Sequence, residues 1–181
     1  MSQENEARRA AWIHRGTTRP DFAEVPGPGE ESVWDYPRPP CLVPDARRVE
    51  IRLGSAVVAE SRSALRLLET ASPPTVYVPP EDVDWSMLRE AEGQSHCEWK
   101  GLARYWHVES GEQKVVNAGW SYPDPYPEYA DLADHLAVYP GRLSCFLGGM
   151  NVVPQPGEFY GGWVTPEIKG PFKGQRGTGG W

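Results

Sequence analysis

Around Gly111-Glu112 the chain reads as two strands folded back on each other. With those two residues as the loop, Glu109 falls opposite Lys114, Val108 opposite Val115 and Trp106 opposite Asn117, so that unlike charges and apolar partners pair. The register predicts strands over residues 103–109 and 114–121, and it sets Trp120 opposite Ala103, a residue small enough to leave room for the indole. A chain that carries this hairpin is committed to antiparallel sheet.

The remaining pattern agrees. Val49, Ile51 and Leu53 alternate with Glu50 and Arg52, and Gly54-Ser55 then turns the chain into "AVVAE", which makes a second hairpin. "SALRLLET" fits a helix through Leu65 and Leu68 or a strand through Leu65 and Leu67, and is read as strand. "TVYV", between Pro73-Pro74 and Pro79-Pro80, is a short strand, and Asp84 can cap a brief helix near 84–90. Tyr129, Leu132, Ala133 and Leu136 recur at helical spacing behind Pro127, predicting a second short helix near 127–137. "LAVY", "RLSCFL" and "MNVV" are further strands, joined at Pro140-Gly141 and Gly148-Gly149. Nineteen glycines and nineteen prolines suit this many tight turns better than wholesale disorder.

At 181 residues the chain can bury one core but not two. Residues 1–31 read as an N-terminal arm, partly flexible, from which Trp12 and Phe22 can dock, and residues 32–181 as a single domain with a Gly-rich C-terminal tail. The net charge of −7 repels nucleic-acid phosphates, so no nucleic-acid partner is expected. No apolar run is long enough for a membrane span and no secretory signal is visible, so the expected location is cytoplasmic. Cys41, Cys97 and Cys145 form no C-x-x-C pair and the four histidines are scattered, so no zinc or other metal is expected.

Two sets of residues carry chemistry. His96, Glu98 and Lys100 alternate in "HCEWKG", and a straight strand would put acid, base and cation on one face, either converging on a ligand or facing solvent above buried Cys97 and Trp99. Gly101 can break that register with a bulge. Cys97 beside His96 points to the opposite face of such a strand, which favours a buried structural thiol over a nucleophile. The second set is aromatic: Tyr105, Trp106, Trp120, Tyr122, Tyr126 and Tyr129 are core material, of which some rings can line a pocket. His107 and His135 have no partner nearby in sequence and are given no role.

"VWDYPRPP", "PPTVYVPPEDV", the stretch from His96 to Asp124 and "PQPGEFYGGWVTPEIKGPFKGQRGTGGW" follow one another in an order that closely resembles the bacterial family catalogued as domain of unknown function 427. The resemblance implies a mainly β, β-tent-like fold in which a pair of antiparallel sheets lean together over a cleft. Relatives of that fold usually carry two C-x-x-C zinc pairs and this chain has none, so aromatic packing would have to replace the metal staple. The family also carries a nucleotidyltransferase-like label. That chemistry places a Gly-Ser close before an Asp-x-Asp pair, whereas here Gly54-Ser55 is a hairpin turn far from Asp82-Val83-Asp84. There is no phosphate-binding Gly-rich loop before a helix, and no cofactor is expected.

The functional expectation is a small-molecule ligand held in a cleft between two sheets. Lys100 would make the charged contact and His96 the proton transfer, and Tyr105, Trp120, Tyr122, Tyr160 and Trp163 would line the site, with the glycines of "FYGGW" permitting close approach. The alternative is a non-enzymatic interaction or scaffold module whose proline-punctuated arm orders on a partner.

Overall fold

The computed structural model describes residues 3–157 and 159–181. The first two residues of the arm and Glu158 lie outside this range. In chain order, helix α1 (Gln3–Ala10) precedes β1 (Glu31–Ser32), β2 (Cys41–Asp45), β3 (Val49–Leu53), β4 (Ala56–Ser61), β5 (Ala64–Glu69) and β6 (Ser72–Tyr77). Then come β7 (Leu88–Cys97), β8 (Gly101–Ser110), β9 (Gln113–Ser121) and β10 (Ala137–Val138). The last five are β11 (Ser144–Leu147), β12 (Met150–Asn151), β13 (Val153–Pro154), β14 (Trp163–Val164) and β15 (Ile168–Lys169).

The fold is mainly β, with several antiparallel sheets and few short helices. One sheet has the order β2-β5-β6, a second β12-β11-β3-β4 and a third β10-β9-β8-β7. Two short pairs complete it, β13 with β14 antiparallel and β1 with β15 parallel. The second and third sheets enclose an aliphatic core of Val49, Ile51, Val58, Val108, Leu136 and Val138, with Trp163 inside it. A separate, aromatic cluster of Tyr77, Trp99, Trp120, Tyr122 and Tyr129 joins the first sheet to the third. Phe22, Trp34 and Trp181 bring arm and tail together, the Phe22 and Trp181 rings stacking at 5.2 Å. The tail thus lies along the protein surface. No described helix is long and apolar enough to cross a membrane.

The alternating hairpin forms as its pattern dictates, with Gly54 at a φ of 59° in the turn. "SALRLLET" is strand β5. Two expected helices are shorter than their spacing suggested. Trp85–Met87 is a single 3-10 turn capped by the Asp84 carboxylate, because the chain re-enters a sheet at Leu88. Pro127 does open the next element, but Pro127–Leu132 is a kinked 3-10 segment, and Leu136 instead bridges to Val78. The strand expected at "TVYV" begins earlier, taking in Pro73 and Pro74, which an outer strand of its sheet tolerates.

In the 111–112 hairpin, Glu109 pairs with Lys114 and Val108 with Val115. Beyond Val108 the register moves by two, so Trp106 faces Gly119 rather than Asn117, and Trp120 faces Tyr105 rather than Ala103. The cause is a bulge at Asn117, whose φ is 48° and whose N–H donates to His107 Nδ1 at 3.0 Å.

Candidate functional site

"HCEWKG" is a hairpin end rather than a straight strand. Cys97 closes β7, Gly101 opens β8 opposite it, and Glu98, Trp99 and Lys100 form the turn between. Gly101 has a φ of 100°, a conformation that disfavours any side chain, and this lets the chain reverse so tightly. His96, Glu98 and Lys100 therefore share no strand face. The turn sends Lys100 and Trp99 inward and leaves His96 exposed at the rim, its Nε2 2.9 Å from Tyr126 Oη.

Behind this turn lies a cleft of about 260 Å³ between the first and third sheets. Leu67, Glu69, Thr75 and Tyr77 of β5 and β6 form one wall, and Cys97, Ala103, Tyr105 and Trp120 of β7 to β9 form the other, with Tyr122 just beyond. Trp12, Tyr160, Gly161 and Lys173 close it. Trp120 spans the two walls by donating its indole N–H to Tyr77 Oη at 3.4 Å. Gly161 presses on the same ring so closely that a Cβ there would lie 2.2 Å from Trp120 Cη2.

The arm packs over the turn. Asn5 Nδ2 and Arg9 Nε both donate to the Glu98 carbonyl, at 2.9 and 2.6 Å, and the Trp12 indole donates to the Glu98 carboxylate at 2.9 Å. The Trp12 ring carries two cations, Arg38 at 4.3 Å and Lys173 Nζ at 3.7 Å from its centroid. Arg38, with a fully buried side chain, also fixes Glu69 at the cleft through a 3.2 Å bond from its Nε.

Two lysines define the electrostatics. Lys100 is only 7% exposed, with Nζ 5.6 Å from the Tyr122 ring centroid. Burial alone would push its ammonium down, but the acidic groups around it, Cys97 first and then Tyr122, Tyr77 and Glu69, push harder the other way and hold it well above the usual lysine range. Burial raises the Tyr77 and Tyr122 phenols, and the Lys100 charge opposes that rise. Lys173, 3% exposed, has the opposite balance: burial pulls it down to about 8, Arg38 adds to that, and Glu69 and Glu98 oppose. Among the described residues neither Nζ has a hydrogen-bonding or ion-pair partner.

The structure brings His96, Lys100, Tyr105, Trp120, Tyr122 and Tyr160 to this cleft. It does not bring Trp163, which is 1% exposed within the aliphatic core. Cys97 is half-buried and lines the cleft instead of being sealed in a core, because the reversal at Gly101 puts it at a strand end. Sequence reasoning missed Lys173 and Glu69. Lys173 stands between Lys169 and Arg176 in an aromatic and Gly-rich tail, and nothing in that local context singles it out. Asp84 spends its carboxylate on Ser86 N and Oγ, and neither it nor Gly54-Ser55 touches the cleft. Among the described residues no group of three or more His, Cys, Asp or Glu is placed to hold a metal ion.

No curated protein matches this chain. Residues 41–148, more than half of it, match the family described as Domain of unknown function (DUF427), and the chain belongs to that family.

Proposed function

We propose that the protein is a small-molecule-binding domain and that the molecule it binds carries negative charge. The observation that supports this is the placement of Lys100 and Lys173. The chain has four lysines, and these two are buried, unpaired and turned to one cleft, while Lys114 and Lys169 pair with Glu109 and Glu30 at the surface. Lysine is almost never buried without an ion-pair partner, since desolvating an ammonium costs several kcal/mol, and a bound carboxylate or phosphate would supply that partner to both side chains. The cleft volume of about 260 Å³ suits a metabolite smaller than drug-sized ligands. In this reading Lys100 holds the charge, Tyr105, Trp120, Tyr122 and Tyr160 supply apolar contact, and His96 at the rim is the group for proton transfer.

Calorimetric titration with small carboxylates and phosphates, beside neutral analogues of the same size, tests the reading. Binding restricted to the anions, and weakened at least tenfold in Lys100→Met, is the expected result. A folded Lys100→Met protein that binds as tightly as the parent would overturn it.

An interaction module is the second reading, and it is favoured by the apolar side chains that the arm leaves in solvent: Ile13 is 82% exposed and Val25 78%. Unchanged hydrogen exchange across residues 3–40 on addition of cell lysate would remove its support.

A further inference from the structure

We propose that Lys173 is a covalent attachment site, whose ε-amine condenses with the carbonyl carbon of an anionic aldehyde or ketone in the cleft to form an imine. The proposal rests on the reading of the cleft as an anion site and adds a reaction to it.

The first argument is positional. The Lys173 backbone is held on both sides, its N–H donating to the Ala71 carbonyl at 2.8 Å and its carbonyl accepting from Gln155 Nε2 at 2.7 Å. The side chain therefore enters the cleft from a fixed base. Its Nζ faces aromatic rings, Trp12 at 3.7 Å and Tyr160 at 5.3 Å from their centroids. The two carboxylates near enough to influence it are engaged elsewhere: Glu69 accepts from Arg38 and Glu98 accepts from Trp12.

The second argument is chemical. An amine attacks a carbonyl only through its free lone pair, so a nucleophilic lysine must shed its proton near neutral pH. Burial and the Arg38 charge, opposed by Glu69 and Glu98, bring Lys173 to about 8, which raises its neutral fraction on the order of a hundredfold over an exposed lysine. Lys100, in the same cleft, moves the other way and stays an ammonium. One lysine is suited to hold the anion and the other to react.

The steps balance without an added oxidant or reductant. The Lys173 lone pair forms the C–N bond as the carbonyl π pair moves to oxygen, and proton transfer from nitrogen to oxygen gives a carbinolamine. Loss of that hydroxyl with the remaining N–H proton releases one water and leaves C=N. A protonated imine would keep the cation–π contact with Trp12 that the ammonium now makes.

The test is to incubate the full chain with glyoxylate, add cyanoborohydride, and map the modified lysines by peptide mass spectrometry, which separates them from the α-amine. Modification of Lys173 at least tenfold above Lys114 and Lys169, half-maximal near pH 8 and absent from Lys173→Arg, is the expected result. Equal modification of all four lysines, or none at Lys173, would overturn the proposal. Glycolate, which has the carboxylate but no carbonyl, separates the two claims. If it binds in a Lys100-dependent manner while glyoxylate leaves Lys173 unmodified, the attachment site is wrong and the anion cleft stands. If glycolate does not bind and glyoxylate does not react, both fall.

Discussion

Lys173 Nζ sits 3.7 Å from the centroid of the Trp12 ring, so a side chain of the arm and one of the tail meet over a cleft whose main walls come from the sheets between them. Neither residue falls within the segment that matches the family.

This contact should be measurable. Trp12→Ala removes the ring from two cations and from Glu98, and is expected to cost about 1–3 kcal/mol in urea unfolding while raising hydrogen exchange over Gln3–Ala10. Unchanged exchange in α1 would show that the arm is held without Trp12.

The pH dependence of stability follows from signs. Lys173 titrates near 8 when folded and near 10.5 when unfolded, so the unfolded state binds more protons in that interval and Lys173 makes stability rise as pH increases from 8 toward 10.5. Tyr129 and Tyr139, raised by burial from 10 to about 12, oppose it: their contribution is complete below pH 10 and is lost as pH rises through 12. The Cys145 thiol, pushed up from 9 by burial, opposes the rise above pH 9, so unfolding curves between pH 7 and 12 should show a rise from pH 8 to about 9 and then a fall. Lys173→Met should abolish the rise and keep the fall.

Lys100→Met exchanges a buried, unpaired cation for an apolar chain of similar length. Unfolding stability should change by less than about 3 kcal/mol, because the desolvation cost that disappears with the charge is offset by the lost attraction of the acidic groups around it. A loss above about 3 kcal/mol would make Lys100 structural and withdraw it as the anion contact.

Trp120 and Gly161 form a steric pair. Trp120→Ala should cost about 3–5 kcal/mol, since the ring packs on Tyr139 at 4.7 Å and bridges to Tyr77. Gly161→Ala should cost about 1–3 kcal/mol by overpacking against the same ring. In a Trp120→Phe background the Gly161→Ala cost should shrink, and a double-mutant cycle reads that coupling directly.

The parts of this fold legible in the sequence are those fixed by neighbours in the chain. Gly54-Ser55 and Gly111-Glu112 announce their turns, and Glu109 with Lys114 announces the start of a register. The register then fails at Asn117, where a non-glycine residue takes a positive φ that nothing in its type requires. Alternation in "HCEWKG" suggested one strand face, and the reversal at Gly101 produced a turn, yet Lys100 still reached the cleft with Tyr105, Trp120 and Tyr122. Trp163 shares the aromatic character of those residues, but the pairing of β14 with β13 carries it into the aliphatic core. Lys173 was hidden for a different reason: its position depends on backbone bonds to Ala71 and Gln155, partners remote in sequence.

Glu98 receives Asn5 and Arg9 on its carbonyl and Trp12 on its carboxylate, and it stands two positions before Lys100 in the same turn. A ligand held in the cleft as proposed would meet Trp12 and Glu98, which the docked arm also uses, and thermodynamic reciprocity would then couple the two. Whatever factor the docked arm adds to ligand affinity, the ligand returns to the arm. A ligand that must displace the Trp12 indole loosens the helix by the same factor that the helix weakens the ligand, so amide exchange in α1 is a gauge of cleft occupancy whose direction tells a closing arm from a competing one.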